Sequence, residues 1–307
     1  MKLATFRHSD LGEHIGVIAG EHILDLTASD PGNGSFATML SLAAGGAAAL
    51  ARAADLVRMA DEQGAGSGLT ILPLGEVSLR APIPRPAKNV YCVGLNFKSH
   101  VEQNAAATGI APDIPATPLF FSKPVTAVIG PGAGIIADDR LTQKLDYEVE
   151  LAVVIGTGGT WITPERASEH ILGFTLINDV SARDLQWRTS QFLYGKGLDS
   201  YCPQGPVIVT SDELGPLDTI TLELLVNGEL RQSESAGNML FDPAVAISEL
   251  SRGITLEPGD LISLGTPGGC GYQMLPPRFL QIGDVVECRA TGIGQLINPV
   301  VAPTVAA

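Results

Sequence analysis

The chain of 307 residues lacks three features that would place it in a specialised class of protein. No apolar run reaches the roughly 18 to 20 residues that span a bilayer. The first residues, MKLATFRHSDLGEH, lack the apolar core of a signal peptide. The four cysteines form no C-x-x-C pair, so neither a zinc knuckle nor a redox dithiol is indicated. We therefore expect a cytoplasmic protein with free thiols and no membrane partner.

Basic residues are also scarce. Lys and Arg number 19 against 33 Asp and Glu, which gives a formal net charge of −14 at pH 7. Such a charge repels phosphate backbones and anionic lipid surfaces, so no nucleic-acid partner is expected. An anionic substrate would need Lys and Arg side chains gathered at one place.

Glycine and proline, by contrast, are abundant. The 35 Gly and 21 Pro residues, with 45% hydrophobic and 17% charged residues, indicate a globular, β-rich chain with many tight turns. Short strand patterns come first and are followed by an alanine-rich helix predicted over residues 36–62. A Gly/Ser-rich connector at residues 64–68 marks a domain boundary. We predict a small N-terminal α/β domain over residues 1–70 and a larger domain over residues 71–307.

The larger predicted domain contains many short runs of β-branched residues separated by Gly and Pro, among them KNVYCVG, VELAVVIG, ILGFTLIND and GPVIVT. Few long helical patterns lie between these runs. This spacing favours a mainly antiparallel β roll or sandwich over a doubly wound parallel sheet. The expected fold class is therefore α+β and rich in strands.

The segment LDYEVELAVVIG, residues 145–156, is predicted to be a strand from its apolar, β-branched content. Because side chains alternate along a strand, Glu148 and Glu150 would share one face, with Cβ atoms roughly 6.6 Å apart. On an exposed sheet face, such a pair is simply solvated. If the pair is buried, protons, basic partners or a cation must offset its charge, and a hard cation would serve both carboxylates.

A third acidic residue, Asp179, ends the apolar strand pattern FTLIND. We predict a helix after it, with Ser181 as N-cap and Asp184 completing a capping box. Asp179 would then lie at a strand-to-helix corner that can face a cleft. Three carboxylate ligands without His or Cys favour Mg²⁺ or Mn²⁺, allow Ca²⁺ and disfavour Zn²⁺.

The order of several sequence motifs resembles that of the fumarylacetoacetate hydrolase family. The motifs are APIPRPAKNVYCVGLNFKSH, FFSKP, DYEVELAVVIG, GFTLINDVSARDLQ, GKGLDSYCPQGP and GTPGGCG, and they lie within about residues 75–302. The resemblance implies a catalytic Mg²⁺ or Mn²⁺ held by Glu148, Glu150 and Asp179. It also implies the family's mixed β-sandwich roll, a homodimer, and a small anionic 2-oxo acid as substrate.

His100, in GLNFKSHVEQN, is the predicted general base because imidazole titrates near neutral pH. An isolated histidine is more often structural. The resemblance implies a lid that carries this histidine and a glutamate three residues later. Here that position is Gln103, and Glu102 lies one residue early. Either Glu102 serves as the catalytic partner of His100, or the partner is missing.

The resemblance further implies roles in catalysis or substrate binding for five residues, which are Lys196, Lys123, Arg183, Gln186 and Thr266. Lys196 would stabilise an oxyanion, and the other four would bind substrate. Taken alone, an Arg or Lys in a turn is usually a solvated charge. The glycines of GTPGGCG, residues 265–271, would let backbone N–H groups approach an anion, or would simply form a turn.

Three functions remain open. A 2-oxo acid or an enolised 1,3-diketone presents two adjacent oxygens to a hard cation, which stabilises the enolate formed when a neighbouring C–C or C–H bond breaks. The leading hypothesis is hydrolysis of a C–C bond in an acylpyruvate-like or fumarylacetoacetate-like acid. The alternative is an isomerase or decarboxylase of an oxaloacetate-like acid, or of a hydroxylated dienedioate from aromatic degradation. The third is a non-catalytic metal-binding homologue.

Overall fold

The computed structural model describes residues 1–63, 66 and 68–304. Within them, strands outnumber helices, and most neighbouring strands run antiparallel. The predicted fold class, α+β and rich in strands, is confirmed. The predicted connector at residues 64–68 falls largely outside the described residues.

The described part of the chain contains nineteen strands and seven α-helices. In chain order, the strands are β1 (Lys2–His8), β2 (Gly12–Ala19), β3 (His22–Asp25), β4 (Ile71–Pro73), β5 (Ser78–Leu79), β6 (Val90–Gly94), β7 (Leu119–Lys123), β8 (Val128–Ile129), β9 (Ile135–Ile136), β10 (Leu145–Asp146), β11 (Val149–Ile155), β12 (Ile171–Asn178), β13 (Ser181–Ala182), β14 (Cys202–Thr210), β15 (Thr221–Val226), β16 (Glu229–Ser235), β17 (Leu261–Ser263), β18 (Val285–Ala290) and β19 (Gly294–Val301). The helices are α1 (Leu26–Ser29), α2 (Met39–Gln63), α3 (Lys98–Thr108), α4 (Arg183–Gln186), α5 (Leu193–Lys196), α6 (Ser211–Leu214) and α7 (Pro243–Ser251).

The largest sheet has its strands in the order β4-β3-β2-β1-β14-β12-β11-β17-β6-β7, and β5 and β8 pair with strands of this path. β11 is antiparallel to β12 on one side and to β17 on the other. All seven residues of β11 are buried, because other layers cover both faces of the strand. A strand buried on both faces is normally a continuous apolar run, so Glu150 within β11 is unusual.

A second sheet, with strand order β16-β15-β18-β19-β9, covers one face of β11. Leu151 and Val153 of β11 share a hydrophobic core with Leu224 and Leu296 of this second sheet. The packing of two sheets face to face forms the sandwich part of the predicted roll.

Helix α2 lies on the opposite face of the large sheet. Ala152 and Val154 of β11 share a second core cluster with Leu42 and Leu56 of α2. Gly46, with a φ of 55°, kinks the helix, a conformation that glycine adopts without steric cost. The helix predicted over residues 36–62 is confirmed.

The length and composition of α2 are sufficient for it to cross a membrane, contrary to the expectation drawn from apolar runs alone. In the structure, the buried side chains of α2 pack on the sheet instead. The absence of a membrane partner stays a prediction.

The N-terminal strands continue the same sheet that contains β11. β1 pairs with β14, with Lys2 opposite Val209 and Leu3 opposite Ile208. The domain boundary near residue 70 stays a prediction.

The strand predicted over residues 145–156 is interrupted, which corrects the sequence interpretation. Tyr147 and Glu148 lie between β10 and β11. β10 pairs with β13 in a separate two-stranded sheet, whereas β11 belongs to the large sheet. The interruption lets Asp146 of β10 and Glu148, just before β11, enter the same site.

The predicted helix cap at Ser181 is wrong. Ser181 lies in β13, and its hydroxyl donates to the Asp179 carbonyl oxygen at 2.9 Å. Helix α4 begins two residues later, at Arg183, without a capping side chain. Asp184 instead accepts a hydrogen bond from the Thr142 hydroxyl at 2.5 Å. A tertiary contact therefore replaces the local capping box.

Candidate metal centre

Three buried carboxylates meet where β11 begins and β12 ends. Glu148 precedes β11, Glu150 is its second residue, and Asp179 follows β12. The antiparallel pairing of β11 and β12 brings them together, and the Asp179 backbone N–H donates to the Glu148 carbonyl oxygen at 2.8 Å. One oxygen from each carboxylate lies within 4.8 Å of the others.

Two of these carboxylates are paired with buried cations. The Lys196 ammonium lies 2.7 Å from Glu148 Oε2 and 2.7 Å from Asp179 Oδ2. Arg183 Nη2 lies 2.7 Å from Glu148 Oε1, and Lys123 donates to Asp179 Oδ1. Burial alone would lower the pKa of Lys196, but the charges of Asp179 and Glu148 outweigh it and raise that pKa. Lys196 therefore rests as an ammonium ion.

Glu148 and Glu150 differ in their electrostatic surroundings. Burial would raise the pKa of Glu148, but the charges of Lys196 and Arg183 outweigh it and lower the pKa below the usual range. Glu150 accepts from the Ser263 hydroxyl at 2.5 Å and from the Gly265 N–H at 3.0 Å. Among the residues that the structure describes, no Lys or Arg forms an ion pair with Glu150.

The pKa of Glu150 is raised well above its ordinary value, first by burial and then by the charges of Asp179 and Glu148. The protein thus gathers like charges in its interior and leaves one of them without a cation. A divalent ion would remove this repulsion, and Mg²⁺ and Mn²⁺ prefer carboxylate oxygens. The three residues therefore fit such an ion.

Asp146 is a fourth buried carboxylate that sequence reasoning missed. It lies 2.8 Å from Arg183 Nε and accepts from the backbone N–H groups of Gly271 and Tyr272 at 2.8 and 3.1 Å. The Tyr272 ring lies 4.4 Å from the Arg183 guanidinium carbon. Asp146 therefore fixes the position of Arg183. The signal that could have identified it is its position in DYEVE, where an acidic residue interrupts an apolar strand pattern.

A cavity of about 120 Å³ lies above the carboxylates. Seven of the residues singled out in the sequence line it, namely His100, Glu148, Glu150, Arg183, Gln186, Lys196 and Thr266. Gln186 accepts from Arg183 Nη1 at 3.0 Å, and the Thr266 hydroxyl accepts from Gln232 Nε2 at 2.9 Å. The structure therefore gathers most of the predicted site residues around one cavity.

Lys123 does not line this cavity, although it was predicted to bind substrate. Its side chain is fully buried, and it donates to Asp179 and to the Val180 carbonyl oxygen, the latter at 3.1 Å. Lys123 is therefore placed to hold the Asp179 side chain in position. Its position at the end of β7, beneath the carboxylates, explains why it does not reach the cavity.

Glu102 also lies outside the cavity. On helix α3 each residue turns by about 100°, so a side chain two positions after His100 points to the opposite side. Accordingly, the Glu102 side chain is 58% exposed and pairs with Lys98 at 3.5 Å. Gln103, at the third position, accepts from the Gly269 N–H at 2.7 Å. Of the two candidate partners for His100, neither contacts its ring.

His100 is buried in the wall formed by α3 and the loop that follows β17. Burial lowers its pKa to about 4, so the imidazole is neutral at physiological pH. Gln273 Nε2 lies 3.3 Å from His100 Nδ1, and the Cys270 sulfur lies 3.7 Å from the same nitrogen. The Gln273 amide thus lies where a carboxylate partner would be expected.

The four glycine N–H groups of the glycine-rich loop at residues 265–271 donate to protein side chains rather than to an anion. The N–H of Gly265 donates to Glu150, and that of Gly271 to Asp146. The N–H groups of Gly268 and Gly269 donate to Ser99 and Gln103 on α3. The loop therefore joins the carboxylates to helix α3.

A protein-family model described as fumarylacetoacetate (FAA) hydrolase C-terminal matches residues 89–301, more than half of the chain. The chain belongs to the fumarylacetoacetate hydrolase family. The resemblance seen in the sequence motifs is therefore confirmed.

Relatives of this family member carry more than one activity in their names. Oxaloacetate tautomerase YisK of Bacillus subtilis (strain 168) is 43% identical over 251 residues, which cover 82% of each chain. The solved structure of a fumarylacetoacetate hydrolase from Exiguobacterium antarcticum has 40% identity and a TM-score of 0.81, and the match covers 99% of this chain and 100% of that one. Maleylpyruvate hydrolase from Sphingobium sp. SYK-6, solved with manganese(II) and pyruvate, has 28% identity, a TM-score of 0.77 and the same coverage.

Proposed function

We propose that this family member is a divalent-metal-dependent tautomerase that interconverts the keto and enol forms of a small 2-oxo dicarboxylic acid such as oxaloacetate. The observation that carries the proposal is that His100 contacts the Gln273 amide, while Glu102 lies at the surface. A histidine that deprotonates water is usually oriented by a carboxylate, which stabilises the imidazolium formed. Tautomerisation consumes no water and does not need that pair. The relative YisK, named an oxaloacetate tautomerase, supports the same assignment.

The size and charge of the cavity support a small anionic substrate. Its volume of about 120 Å³ suits a small molecule. Four buried carboxylates face three buried cations, so the site carries one excess negative charge when all four carboxylates are ionised. A divalent ion would reverse that sign and make the cavity attractive to a carboxylate. Arg183 and Gln186 would then bind the substrate carboxylate.

A Mg²⁺ or Mn²⁺ ion held by Glu148, Glu150 and Asp179 would supply Lewis-acid stabilisation of negative charge on an enolate oxygen. We assign the proton transfer itself to Lys196. Its ammonium form gives a proton to the enol carbon that is double-bonded to the hydroxyl-bearing carbon. The resulting amine takes the proton of the enol hydroxyl. The keto product has the same atoms as the enol, and Lys196 returns to its starting state.

The test is to follow the ultraviolet absorbance of the oxaloacetate enol after purified protein is added with Mg²⁺, with Mn²⁺ or with EDTA. We expect rapid loss of the enol with metal, with oxaloacetate retained as the product. An acylpyruvate given to the same enzyme should be cleaved far more slowly. Cleavage of the acylpyruvate that outpaces tautomerisation would contradict the proposal.

Hydrolysis of a C–C bond is the second candidate function. The Sphingobium relative is named a maleylpyruvate hydrolase, and its structure contains manganese and pyruvate, the kind of ligands that this carboxylate site fits. Decarboxylation would use the same site. Product analysis separates the three reactions, because hydrolysis yields two acids, decarboxylation releases CO₂, and tautomerisation changes neither mass nor carbon count.

A further inference from the structure

Gln273 lies between the glycine-rich loop and helix α3, at the end of a short 3₁₀ helix, Gly271–Gln273. Its Oε1 accepts from the backbone N–H groups of Gly269 and Cys270 at 3.0 and 3.1 Å. Rotating the amide by 180° would place its NH₂ group against these two donors. The positions of the amide oxygen and nitrogen are therefore determined by the hydrogen bonds.

With the amide so oriented, its NH₂ group points at His100. Gln273 Nε2 donates to the His100 carbonyl oxygen at 3.1 Å and lies 3.3 Å from His100 Nδ1. It also donates to the Tyr272 hydroxyl at 3.2 Å, so its two N–H bonds are shared among three acceptors. Because an amide NH₂ can only donate, it opposes a proton on Nδ1 and favours Nδ1 as an acceptor. The Cys270 thiol, 3.7 Å from Nδ1, can also donate to it, because burial raises the pKa of the thiol and keeps it protonated. A neutral imidazole has one N–H, and these donors on the Nδ1 side favour its position on Nε2.

We propose that Gln273 is a positioning residue that holds His100 in the neutral Nε2–H tautomer, in which the ring donates a hydrogen bond and does not deprotonate water. The inference rests on the proposed function, because it explains why the site favours tautomerisation over hydrolysis. Gln273 acts through His100 and does not line the cavity.

Other groups around His100 also affect its protonation. Burial is the largest influence and lowers the pKa to about 4; the Glu148 carboxylate opposes it, and the charges of Arg183 and Lys196 add to it. The Tyr272 ring packs edge-on at 6.4 Å, and the Cys270 thiol is the other neighbour of Nδ1. No carboxylate among the described residues pairs with the ring, so the neutral form persists above about pH 5.

The first test measures the tautomer in the unmodified protein. Nitrogen-15 NMR of histidine-labelled protein, with and without Mg²⁺, distinguishes N–H from unprotonated ring nitrogens. The His100→Gln variant identifies the His100 signals among the five histidines. We expect an N–H signal from Nε2 and an unprotonated Nδ1 between pH 6 and 8. A proton on Nδ1, or an equal mixture of tautomers, would overturn the proposal.

The second test changes the Gln273 side chain. In Q273E, the carboxylate can still accept from the two backbone N–H groups. It can also accept a hydrogen bond from an Nδ1–H, which would favour the ring proton on Nδ1 over Nε2. We expect the NMR signals to exchange accordingly, kcat for tautomerisation to fall about 10-fold, and a new ionisation near neutral pH to enter the pH profile of kcat. In Q273L, both tautomers should be populated. An unchanged tautomer in both variants would refute the proposal.

Gln295→Glu is the matched control, because Gln295 is exposed on β19 and the substitution adds the same charge far from the site. It should leave the NMR signals and the pH profile unchanged. The experiments distinguish a failure of this inference from a failure of the proposed function. The tautomer of His100 is read directly, whether or not the enzyme acts on oxaloacetate, whereas an inactive enzyme with the expected tautomer would contradict the proposed function alone.

Discussion

The two halves of the site are built from different kinds of interaction. The carboxylate half consists of Glu148, Glu150 and Asp179 on the central strands, where buried ion pairs hold the side chains. The lid half consists of α3 and the glycine-rich loop, which are joined by side-chain hydrogen bonds to backbone N–H groups. The first half gathers charged groups in the interior, and the second joins neutral groups of α3 to the loop.

This difference indicates which half determines the reaction. A buried carboxylate triad suits any reaction that passes through an enolate, and relatives with different named activities share this family's fold. Under the proposed function, the lid half decides whether a base is available to deprotonate water. In this chain the side-chain groups that face His100 Nδ1 are an amide and a thiol. We therefore expect substitutions in the carboxylate half to abolish activity and those in the lid half to modulate it.

The largest effect is expected for Lys196→Met in the carboxylate half. Loss of the proton carrier should lower kcat for tautomerisation about 10³-fold, within the range of general acid–base catalysis. Steady-state kinetics with saturating Mg²⁺ measures this loss. Lys144→Met, at an exposed position, is the control and should keep wild-type kcat. A K196M enzyme with more than a tenth of the wild-type kcat would show that another group moves the proton.

Glu150→Gln tests the metal role of the same half. Removal of one of three anionic ligands should weaken Mn²⁺ binding by about 100-fold or more, as measured by titration calorimetry. Without metal, the variant should be as stable as the parent or more stable, because like-charge repulsion with Glu148 and Asp179 is removed. Glu76→Gln, an exposed change of the same type, should leave Mn²⁺ binding intact. Equal affinity in E150Q and the parent would remove Glu150 from the ligand set.

The stability of the metal-free protein should depend on pH. The folded-state pKa of Glu150 lies above its ordinary value of 4.5, so its protonated form contributes stability at low pH that is lost as pH rises through the folded pKa. Above about pH 5, the free energy of unfolding should fall by up to about 1.4 kcal/mol per pH unit. Glu148, whose pKa is lowered, has already made its contribution at that pH.

Urea unfolding of the metal-stripped protein from pH 5 to 8 measures this slope. The slope should disappear in E150Q and with saturating Mn²⁺, because both remove the unpaired charge. A stability that rises with pH over this range would show that Glu150 is ionised and compensated without metal.

In the lid half, Gln103→Leu should have a smaller effect. It removes the hydrogen bond to the Gly269 N–H, worth about 0.5–1.5 kcal/mol. We expect KM to rise about 3-fold to 10-fold with kcat nearly unchanged, because α3 closes less firmly over the substrate. Gln295→Leu at the exposed face of β19 is the control. A 100-fold loss of kcat in Q103L would instead place Gln103 in the chemistry.

The smallest effect is expected for Glu102→Gln. Its side chain is exposed and pairs only with Lys98, so kcat/KM should change by less than about 2-fold, in line with surface substitutions worth about 0.5 kcal/mol or less. Kinetics from pH 6 to 9 checks this. A loss of activity confined to one side of the pH range would show that Glu102 reaches His100 during turnover.

Much of the carboxylate half could be predicted from the sequence. Strand alternation placed Glu148 and Glu150 on one face, and the strand ending at Asp179 brought the third carboxylate to the same edge. The break at Tyr147 could not be predicted, because it depends on β10 pairing with β13 rather than on local propensity. For the same reason the role of Asp146 was missed.

The lid half was predicted less well. The motif identified His100, but a shift of one residue on a helix changes what a side chain contacts. Glu102 pairs with Lys98, whereas Gln103 accepts from the glycine-rich loop. The contact of Lys123 with Asp179 could not be predicted, because a charge in a motif does not reveal whether it faces substrate or a buried carboxylate. Gln273 carried no sequence signal, since its contact with His100 joins residues 173 positions apart.

The most direct test of the central claim is to titrate metal-stripped enzyme with Mn²⁺ while measuring both bound ion and the rate of oxaloacetate tautomerisation. The account predicts that the rate rises in proportion to bound Mn²⁺, saturates at one ion per chain, and stays at background in the E150Q variant at the same Mn²⁺ concentrations. Full activity without bound ion, or saturation with Mn²⁺ without any acceleration of tautomerisation, would contradict it.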